Sequence, residues 1–456
     1  MKRVLVANRG EIAVRVMRTC RELGLETVAV HSSADADSMH VRMADRAVCI
    51  GPPPSAQSYL VAPALVAAAL GTGADAIHPG YGFLSENADF ARLCADQGVT
   101  FIGPSPEAID LMGNKAAARQ VAAQLEVPTV PGSKTPVRSC ADALAAAKTV
   151  GYPVLLKASA GGGGRGMRVV QGESEMDAAW QDASREALAA FGDATLYVER
   201  RLSGVRHIEI QLLGDGGEGA VSLGHRDCSI QRRRQKLLEE SPGPALSAAL
   251  LQGMSDAALR IARHLRYSGA GTIEFVVTTE PAAFYFIEMN TRIQVEHPVT
   301  EMLTGVDIVA EQIRVANGEP MELTAGWDAP RSHAIECRIN AESPTHGFRP
   351  SPGRIARWQP PGGPGVRVDS HCREGYVVQP FYDSMIAKVV VCAPDRDSAI
   401  RRMRRALSEF VVEGPDTTIS FHLSLLSDPE FGAGKGHTTW VEDHFLARFQ
   451  AGRGRI

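Results

Sequence analysis

The 456-residue chain is 44% hydrophobic and 22% charged, which excludes a disordered polyelectrolyte and allows roughly two to four cored domains. Its formal net charge of −4 argues against nucleic acid or an acidic membrane as the main partner. The eight cysteines form no C-x-x-C pair, so neither a zinc knuckle nor a disulfide framework is indicated and a reduced, cytoplasmic setting is expected. After Met1-Lys2-Arg3 only four apolar residues precede Asn8, too few for a secretory leader, and no apolar run nears bilayer-spanning length.

Val4–Ala7 has the pattern of a buried strand, Asn8–Gly10 of a turn, Glu11–Leu23 of a helix with Ile12, Val16 and Leu23 on its apolar stripe, and Thr27–His31 of the next strand. This is a βαβ unit of the α/β class. A dinucleotide fingerprint would need G-x-G-x-x-G at the first turn, where only Gly10 stands, so NAD is not expected. Ala62–Leu70 reads as a helix and Asp75–His78 as a strand running into Pro79–Asn87, in which Gly80 and Gly82 flank Tyr81. Such a loop suits the lining of a crevice and, equally, a tight turn that needs glycine.

Ala108–Leu125 is a helical run carrying Lys115, and Val127–Gly132 reads as a linker, which puts a module boundary near residue 130. Tyr152–Lys157 is a strand ending in a lysine, followed by Gly161, Gly162, Gly163, Gly164 and Gly166 and a second strand from Met167. A glycine-rich loop between strands can close its N–H groups over phosphates with Lys157 beside them. It is no P-loop, because G-x-x-x-x-G-K-[ST] is missing and a strand follows; a flexible linker is the alternative.

Thr195–Leu202 and Arg206–Leu213 are further strands that, with the glycine loop, outline a nucleotide pocket between two small sheets. His225–Lys236 is densely basic, but Glu239 and Glu240 follow at once, so a site for small anions or an exposed, salt-bridged strand is expected before a nucleic-acid stripe. Gly271–Val277 and Tyr285–Glu288 read as antiparallel partners that set Glu274 beside Glu288. Facing carboxylates repel unless a cation sits between them, either magnesium bridging to ATP phosphates or a matching arginine. Glu288, Asn290, Arg292, Gln294 and Glu296 recur at a period of two, the pattern of one polar strand face. Arg401-Arg402-Met403-Arg404-Arg405 lies in a helical pattern and reads as a solvated face.

Six stretches, Ala7–Ala13, His78–Asn87, Gly161–Met167, Arg226–Ser229, Glu288–Pro298 and Ile335–Glu342, run in order along nearly the whole chain. Together they resemble the biotin carboxylase component of biotin-dependent carboxylases, within the ATP-grasp superfamily. The resemblance implies an α/β and α+β chain with an ATP-grasp fold. Its parts would be an N-terminal Rossmann-like (pre-ATP-grasp) domain over 1–113, an ATP-grasp region over 114–330 with a mobile lid at 131–203, and a C-terminal biotin carboxylase domain over 331–446. It further implies ATP-dependent carboxylation of carrier-bound biotin by bicarbonate, the first half-reaction of an acyl-CoA carboxylase, with acetyl-CoA carboxylase in fatty acid synthesis as the expected setting.

By the same resemblance, Lys115, Lys157, Gly161, Gly162, Gly163, Gly164, Gly166, Met167, Glu199, Leu202, His207 and Gln231 are ATP-binding positions. Glu274 and Glu288 join them and, with Asn290, hold Mg2+ or Mn2+. Lys236, Arg292, Gln294, Val295 and Glu296 meet bicarbonate, Arg338 faces biotin, and Tyr81 belongs with the substrate-binding residues. Catalysis would rest on Glu296 as base, Lys236 and Arg292 positioning bicarbonate for attack on the γ-phosphate, and Arg338 stabilising the biotin oxyanion formed once carboxyphosphate has broken down. Two positions depart from the family: Arg234 stands where many relatives carry histidine near the nucleotide, and Pro364 where an aromatic helps some relatives dimerise. Arg18, Glu22, Arg367 and Asp383 match polar dimer-interface positions, so a homodimer is expected. Nothing resembles the Ala-Met-Lys-Met biotin-attachment hairpin, which places the biotin carboxyl carrier and the carboxyltransferase on other chains. The competing readings are another ATP-grasp carboxylate ligase, which would lack the combination of the Tyr81 loop, Lys236, Glu296 and Arg338, and a non-catalytic nucleotide-binding subunit, which would have lost a lysine, a metal carboxylate or the base.

Overall fold

The computed structural model describes residues 1–133, 135–159, 167–244, 246–321, 323 and 332–452. Strand β1 (Arg3–Val6), helix α1 (Gly10–Glu22) and strand β2 (Glu26–Ser32) form the expected βαβ unit, with parallel register from Arg3↔Glu26 to Val6↔Ala29. With β3 (Arg46–Gly51), β4 (Ala76–His78) and β5 (Thr100–Phe101) they make a sheet of order β3-β2-β1-β4-β5. The order reverses between β1 and β4, so the segments leaving their carboxyl ends, residues 7–10 and 79–82, open a crevice there. Gly80 is required in that crevice: its φ is +63° and a Cβ would lie 2.9 Å from Asn8 Nδ2. That amide holds the loop by donating to the Pro79 and Tyr81 carbonyl oxygens at 2.7 and 2.8 Å.

The helical run over Ala108–Leu125 is two helices, α2 (Pro106–Gly113) and α3 (Lys115–Gln124). Asn114 divides them: its backbone is extended and its side chain accepts from the N–H groups of Ala116 and Ala117, a helix N-cap that the apolar periodicity concealed. Lys115 is therefore the first residue of a helix. Nor is Val127–Gly132 a free linker. The Phe286 N–H donates to the Pro128 carbonyl at 2.7 Å, Thr129 bridges to Phe286, and Gly132 bridges to Glu199.

Beyond it, β6 (Val154–Ala158), β7 (Met167–Val170) and β8 (Leu196–Arg200) form a small antiparallel sheet of order β7-β6-β8. Helices Cys140–Val150 and Met176–Phe191 close a core on it around Val154, Leu156, Val170, Leu196 and Val198. The glycine loop, with Gly161, Gly162, Gly163, Gly164 and Gly166, lies outside the described residues.

The remaining strands are β9 (Arg206–Asp215), β10 (Ala220–Arg232), β11 (Gln235–Ser241), β12 (Ser268–Thr279) and β13 (Ala282–Asn290). After helix α4 (His297–Thr304) come β14 (His333–Asn340), β15 (Val366–Ser370) and β16 (Met385–Ala393). All eight share one sheet of order β13-β12-β9-β10-β11-β14-β16-β15. The strands at 196–200 and 206–215 therefore belong to different sheets, one small and one large, and do not outline a pocket between two small ones. Strand β9 is buried on both faces from Ile208 to Leu213, which fits a mid-sheet strand and not a hairpin of a separate module. The polar row also divides. Strand β13 stops at Asn290, and residues 291–296 turn into α4, whose first turn carries Pro298 as helix starts favour. Helix α5 (Arg396–Glu409) buries Ala399, Ile400, Met403, Ala406 and Leu407 and leaves Arg401, Arg404 and Arg405 exposed; of the run expected as a solvated face, Met403 is in the core and Arg402 is half-buried, donating to the Cys392 carbonyl. Among the described residues no helix is long and apolar enough to cross a membrane.

Candidate active site

A cavity of about 700 Å³ opens at the β1/β4 crevice and extends under the large sheet. Ten predicted residues line it: Tyr81, His207, Lys236, Glu274, Glu288, Asn290, Arg292, Gln294, Val295 and Arg338. At its floor the Lys236 ammonium is held by three carboxylates, Glu209 Oε2 at 2.7 Å, Glu274 Oε1 at 2.9 Å and Glu296 Oε1 at 2.7 Å. The other Glu296 oxygen accepts from Arg338 Nη2 at 2.9 Å. Burial alone would push Glu296 up, but Lys236 and Arg338 outweigh it and hold the carboxylate well below its ordinary 4.5. Of the two readings left open for the densely basic stretch, a small-anion site or an exposed, salt-bridged strand, exposure holds only at the turn, Arg233 to Gln235, while His225 to Gln231 are buried. Arg226 is fully buried, donating to Glu209 at 2.5 Å and to Gln211 and Thr300 at 2.8 and 2.7 Å. Arg233 and Arg234 alone in that stretch take positive φ, +48° and +66°, at the β10–β11 turn, where Arg234 joins the cavity wall.

Arg292 turns back along the polar row. It donates to Glu86 Oε2 at 2.9 Å, Asn290 Oδ1 at 3.0 Å and Gln294 Oε1 at 3.0 Å. Glu274 and Glu288 are cross-strand partners as expected, yet arginine is not what balances them. Glu274 faces Lys236 and also His207 Nε2 at 2.9 Å; Glu288 faces the Lys115 ammonium at 3.1 Å. Burial lowers the His207 pKa and Glu274 raises it, with the net shift upward. Gln231 Nε2 lies 2.8 Å from the other His207 nitrogen. Two carboxylates and the Asn290 amide oxygen make an all-oxygen donor set, which fits a hard divalent cation such as Mg2+, and Lys115 and His207 are the groups it would relieve.

Four predicted residues lie in or beside the small sheet instead of in the cavity wall. Lys157 and Arg119 both bind the Glu199 carboxylate, Met167 is the cross-strand partner of Lys157, and Leu202 follows β8 in a half-buried coil. Sequence reasoning missed Glu209, Arg226, Glu11 and Lys388. Lys388 is fully buried, donates to the Val295 carbonyl at 2.8 Å and pairs with Glu11 at 3.1 Å. Glu11 in turn accepts from the Tyr81 hydroxyl. The signal was available: one lysine inside the apolar run Met385–Ala393, and one acid inside Ile208–Leu213, are each costly to bury unpaired.

Three family descriptions match in order: Biotin carboxylase, N-terminal domain over residues 1–109; Carbamoyl-phosphate synthase L chain, ATP binding domain over 114–324; and Biotin carboxylase C-terminal domain over 336–443. A biotin carboxylase from Nostoc sp. is 55% identical over 97% of this chain and 98% of its own length. The biotin carboxylase of Campylobacter jejuni, solved as a complex with β,γ-ATP, superposes with a TM-score of 0.93 at 47% identity, covering 97% of this chain and 99% of that one. The biotin carboxylase domain dimer of Hydrogenobacter thermophilus 2-oxoglutarate carboxylase, solved with MgADP, ADP and bicarbonate, superposes at 0.92 with 48% identity, covering 97% of each chain. With these matches running end to end over a cavity whose carboxylates, lysines and arginines were located independently, the chain belongs to the biotin carboxylase family.

Proposed function

We propose that this cavity carboxylates biotin at N1′ with bicarbonate at the expense of ATP, through carboxyphosphate. The observation that carries the reading is Glu296, an ionised carboxylate gripped by Lys236 on one oxygen and Arg338 on the other. A base held in this way is already deprotonated at neutral pH and sits among cations suited to an anionic substrate. Lys236 and Arg292 orient bicarbonate and Glu296 takes its proton, so the bicarbonate oxygen attacks the γ-phosphorus and ADP leaves. Carboxyphosphate then separates into CO2 and phosphate, phosphate accepts the biotin N1′ proton, and N1′ bonds to CO2 while Arg338 holds the ureido oxyanion. Tyr81 and Val295 shape the wall beside this reaction.

Lys115, Lys157, Glu199, Leu202, Met167, His207 and Gln231, with the glycine loop, serve the nucleotide, and Glu274, Glu288 and Asn290 serve the divalent ion. That ion would neutralise charge on the phosphates. The small sheet and its helices act as the lid that excludes water from carboxyphosphate. The N-terminal region ends near residue 113, the ATP-grasp region near 330 and the C-terminal domain near 446, boundaries that the matched spans support. A biotin carboxyl carrier and a carboxyltransferase on separate chains, a cytoplasmic setting, acetyl-CoA as the final acceptor and a homodimer complete the reading. The dimer draws support from the dimeric Hydrogenobacter relative and from Arg18 and Glu22, exposed on α1. Arg367 is engaged within the chain by Glu301 and Asp369, both at 2.7 Å.

The test is ATP hydrolysis by the purified chain with bicarbonate and free biotin. ADP release should depend on both, and release indifferent to both would sink the proposal.

A further inference from the structure

Beneath the cavity floor, β11 and β14 bring together two acids that the chemistry above leaves unused. Glu239 and Glu336 are direct cross-strand partners and both are 0% exposed; opposed residues of this kind hold their Cβ atoms about 4.5–5.5 Å apart. Glu239 offers Oε1 to Arg338 Nε at 2.7 Å. Its Oε2 and both oxygens of Glu336 have no hydrogen-bond partner among the described residues. Adjacent carboxylates in one dry site do not both ionise, and a proton on either supplies the donor that the three orphaned oxygens lack.

The groups that face the pair do not change this balance. Arg338, on β14 itself, is committed to Glu239 and Glu296. Lys236 on β11 is committed to Glu209, Glu274 and Glu296. Lys388 on β16 is committed to Glu11 and the Val295 carbonyl. His297 on α4 is kept neutral by burial, assisted by Lys388, Arg15 and Arg367. Arg396 of α5 pairs with Glu240, which alternates to the opposite face of β11.

We propose that Glu239 and Glu336 share a single proton and so act as a positioning pair that presents one anion, not two, to Arg338. Glu336 carries the proton and Glu239 the charge. Burial drives both acids upward, Glu239 to about 7 and Glu336 well above the ordinary carboxylate range, with Arg338 drawing Glu239 back and Lys388 drawing Glu336 back. The proton is held at neutral pH and is released to solvent as pH rises, when a second carboxylate competes for the guanidinium that serves biotin. The inference rests on Arg338 as the biotin-facing residue.

Glu336→Gln keeps the shape and cannot ionise. In kcat/KM for free biotin measured against pH, its alkaline limb should move upward by about one pH unit relative to the wild type. Superimposable profiles would overturn the proposal, since a merely structural glutamate leaves the limb where it is. Independently of turnover, infrared spectroscopy of the 13C-glutamate-labelled wild-type chain should show a solvent-shielded protonated carboxyl stretch at neutral pH. Absence of that band refutes the shared proton even if Glu336→Gln does not fold. Should ATP hydrolysis ignore bicarbonate and biotin altogether, the functional reading fails while the band still decides the pair.

Discussion

At the scale of single residues, Glu296 combines chemistry with stability. It neutralises two buried cations, so Glu296→Ala would strip Lys236 and Arg338 of a shared partner as well as removing the proposed base. Glu296→Gln separates the roles: bicarbonate-dependent turnover should fall by about 10²–10⁴ while nucleotide still binds, as read by steady-state kinetics and calorimetric titration. Wild-type-like turnover in the glutamine variant would reject the base. The direction of its pKa also sets a pH expectation. Because the folded Glu296 titrates well below its ordinary 4.5, its ionisation leaves no acid limb between pH 6 and 8 and contributes stability that is lost only as pH falls through the depressed value. Arg292 and Glu296 stood out because mixed charge at short spacing is hard to explain as packing, whereas Lys236 and Arg338 were reached through the family resemblance. For Glu209 and Lys388 a lone charge in an apolar strand signalled burial but not its partners, which come from elsewhere in the chain: Arg226 of β10 for Glu209, and Glu11 of α1 with the Val295 carbonyl for Lys388.

At the scale of elements, the breaks were the hardest features to read. Apolar periodicity carries through Gly113-Asn114, and only the capping geometry reveals that Lys115 begins a helix aimed at Glu288. Asn114→Ala should cost about 1 kcal/mol, lowering the Tm slightly and raising KM for ATP more than it lowers kcat; an unchanged KM would uncouple the cap from Lys115. The turn of residues 291–296 hid for a related reason, since alternation of polar residues persists although the strand has ended and a helix is about to start. Gly132 offers a sharper test. A Cβ there would stand 2.5 Å from the Val198 carbonyl oxygen, so Gly132→Ala should loosen the small sheet from its anchoring segment, seen as faster amide exchange at Ser133 and Arg200.

At the scale of the molecule, Glu301 of α4 is where three regions meet. It accepts from Arg15 of α1 at 2.8 Å and from Arg367 of β15 at 2.7 Å. Glu301→Ala leaves Arg15 with Asp307 and Arg367 with Asp369, so it should destabilise by about 1–3 kcal/mol, a fall of a few degrees in Tm, with kcat near wild type at low temperature. Acid lability should be global as well. Burial raises Asp35 and Glu240, but the hydrogen bonds from Arg9 and from His333 with Arg396 outweigh it and bring each to about 2. Their stabilisation is complete above the ordinary carboxylate range and fades toward pH 2, so a Tm scan should be level near neutrality and fall steeply only in acid. Asp35→Asn should flatten part of that fall. The order of the regions was legible from the motifs; the unbroken eight-stranded sheet was not, because Leu238↔Cys337 joins segments far apart in sequence.

The segment around residues 128–133 is stitched at one end to β13, through Pro128 and Phe286, and at the other to β8, where the Ser133 N–H meets the Val198 carbonyl at 2.8 Å. Backbone pairing at both ends makes this short segment a hyphen between the two sheets, so that a shift of either is passed to the other through it. Glu288 lies two residues along β13 from Phe286, so a change in what grips that carboxylate acts close to the point of attachment.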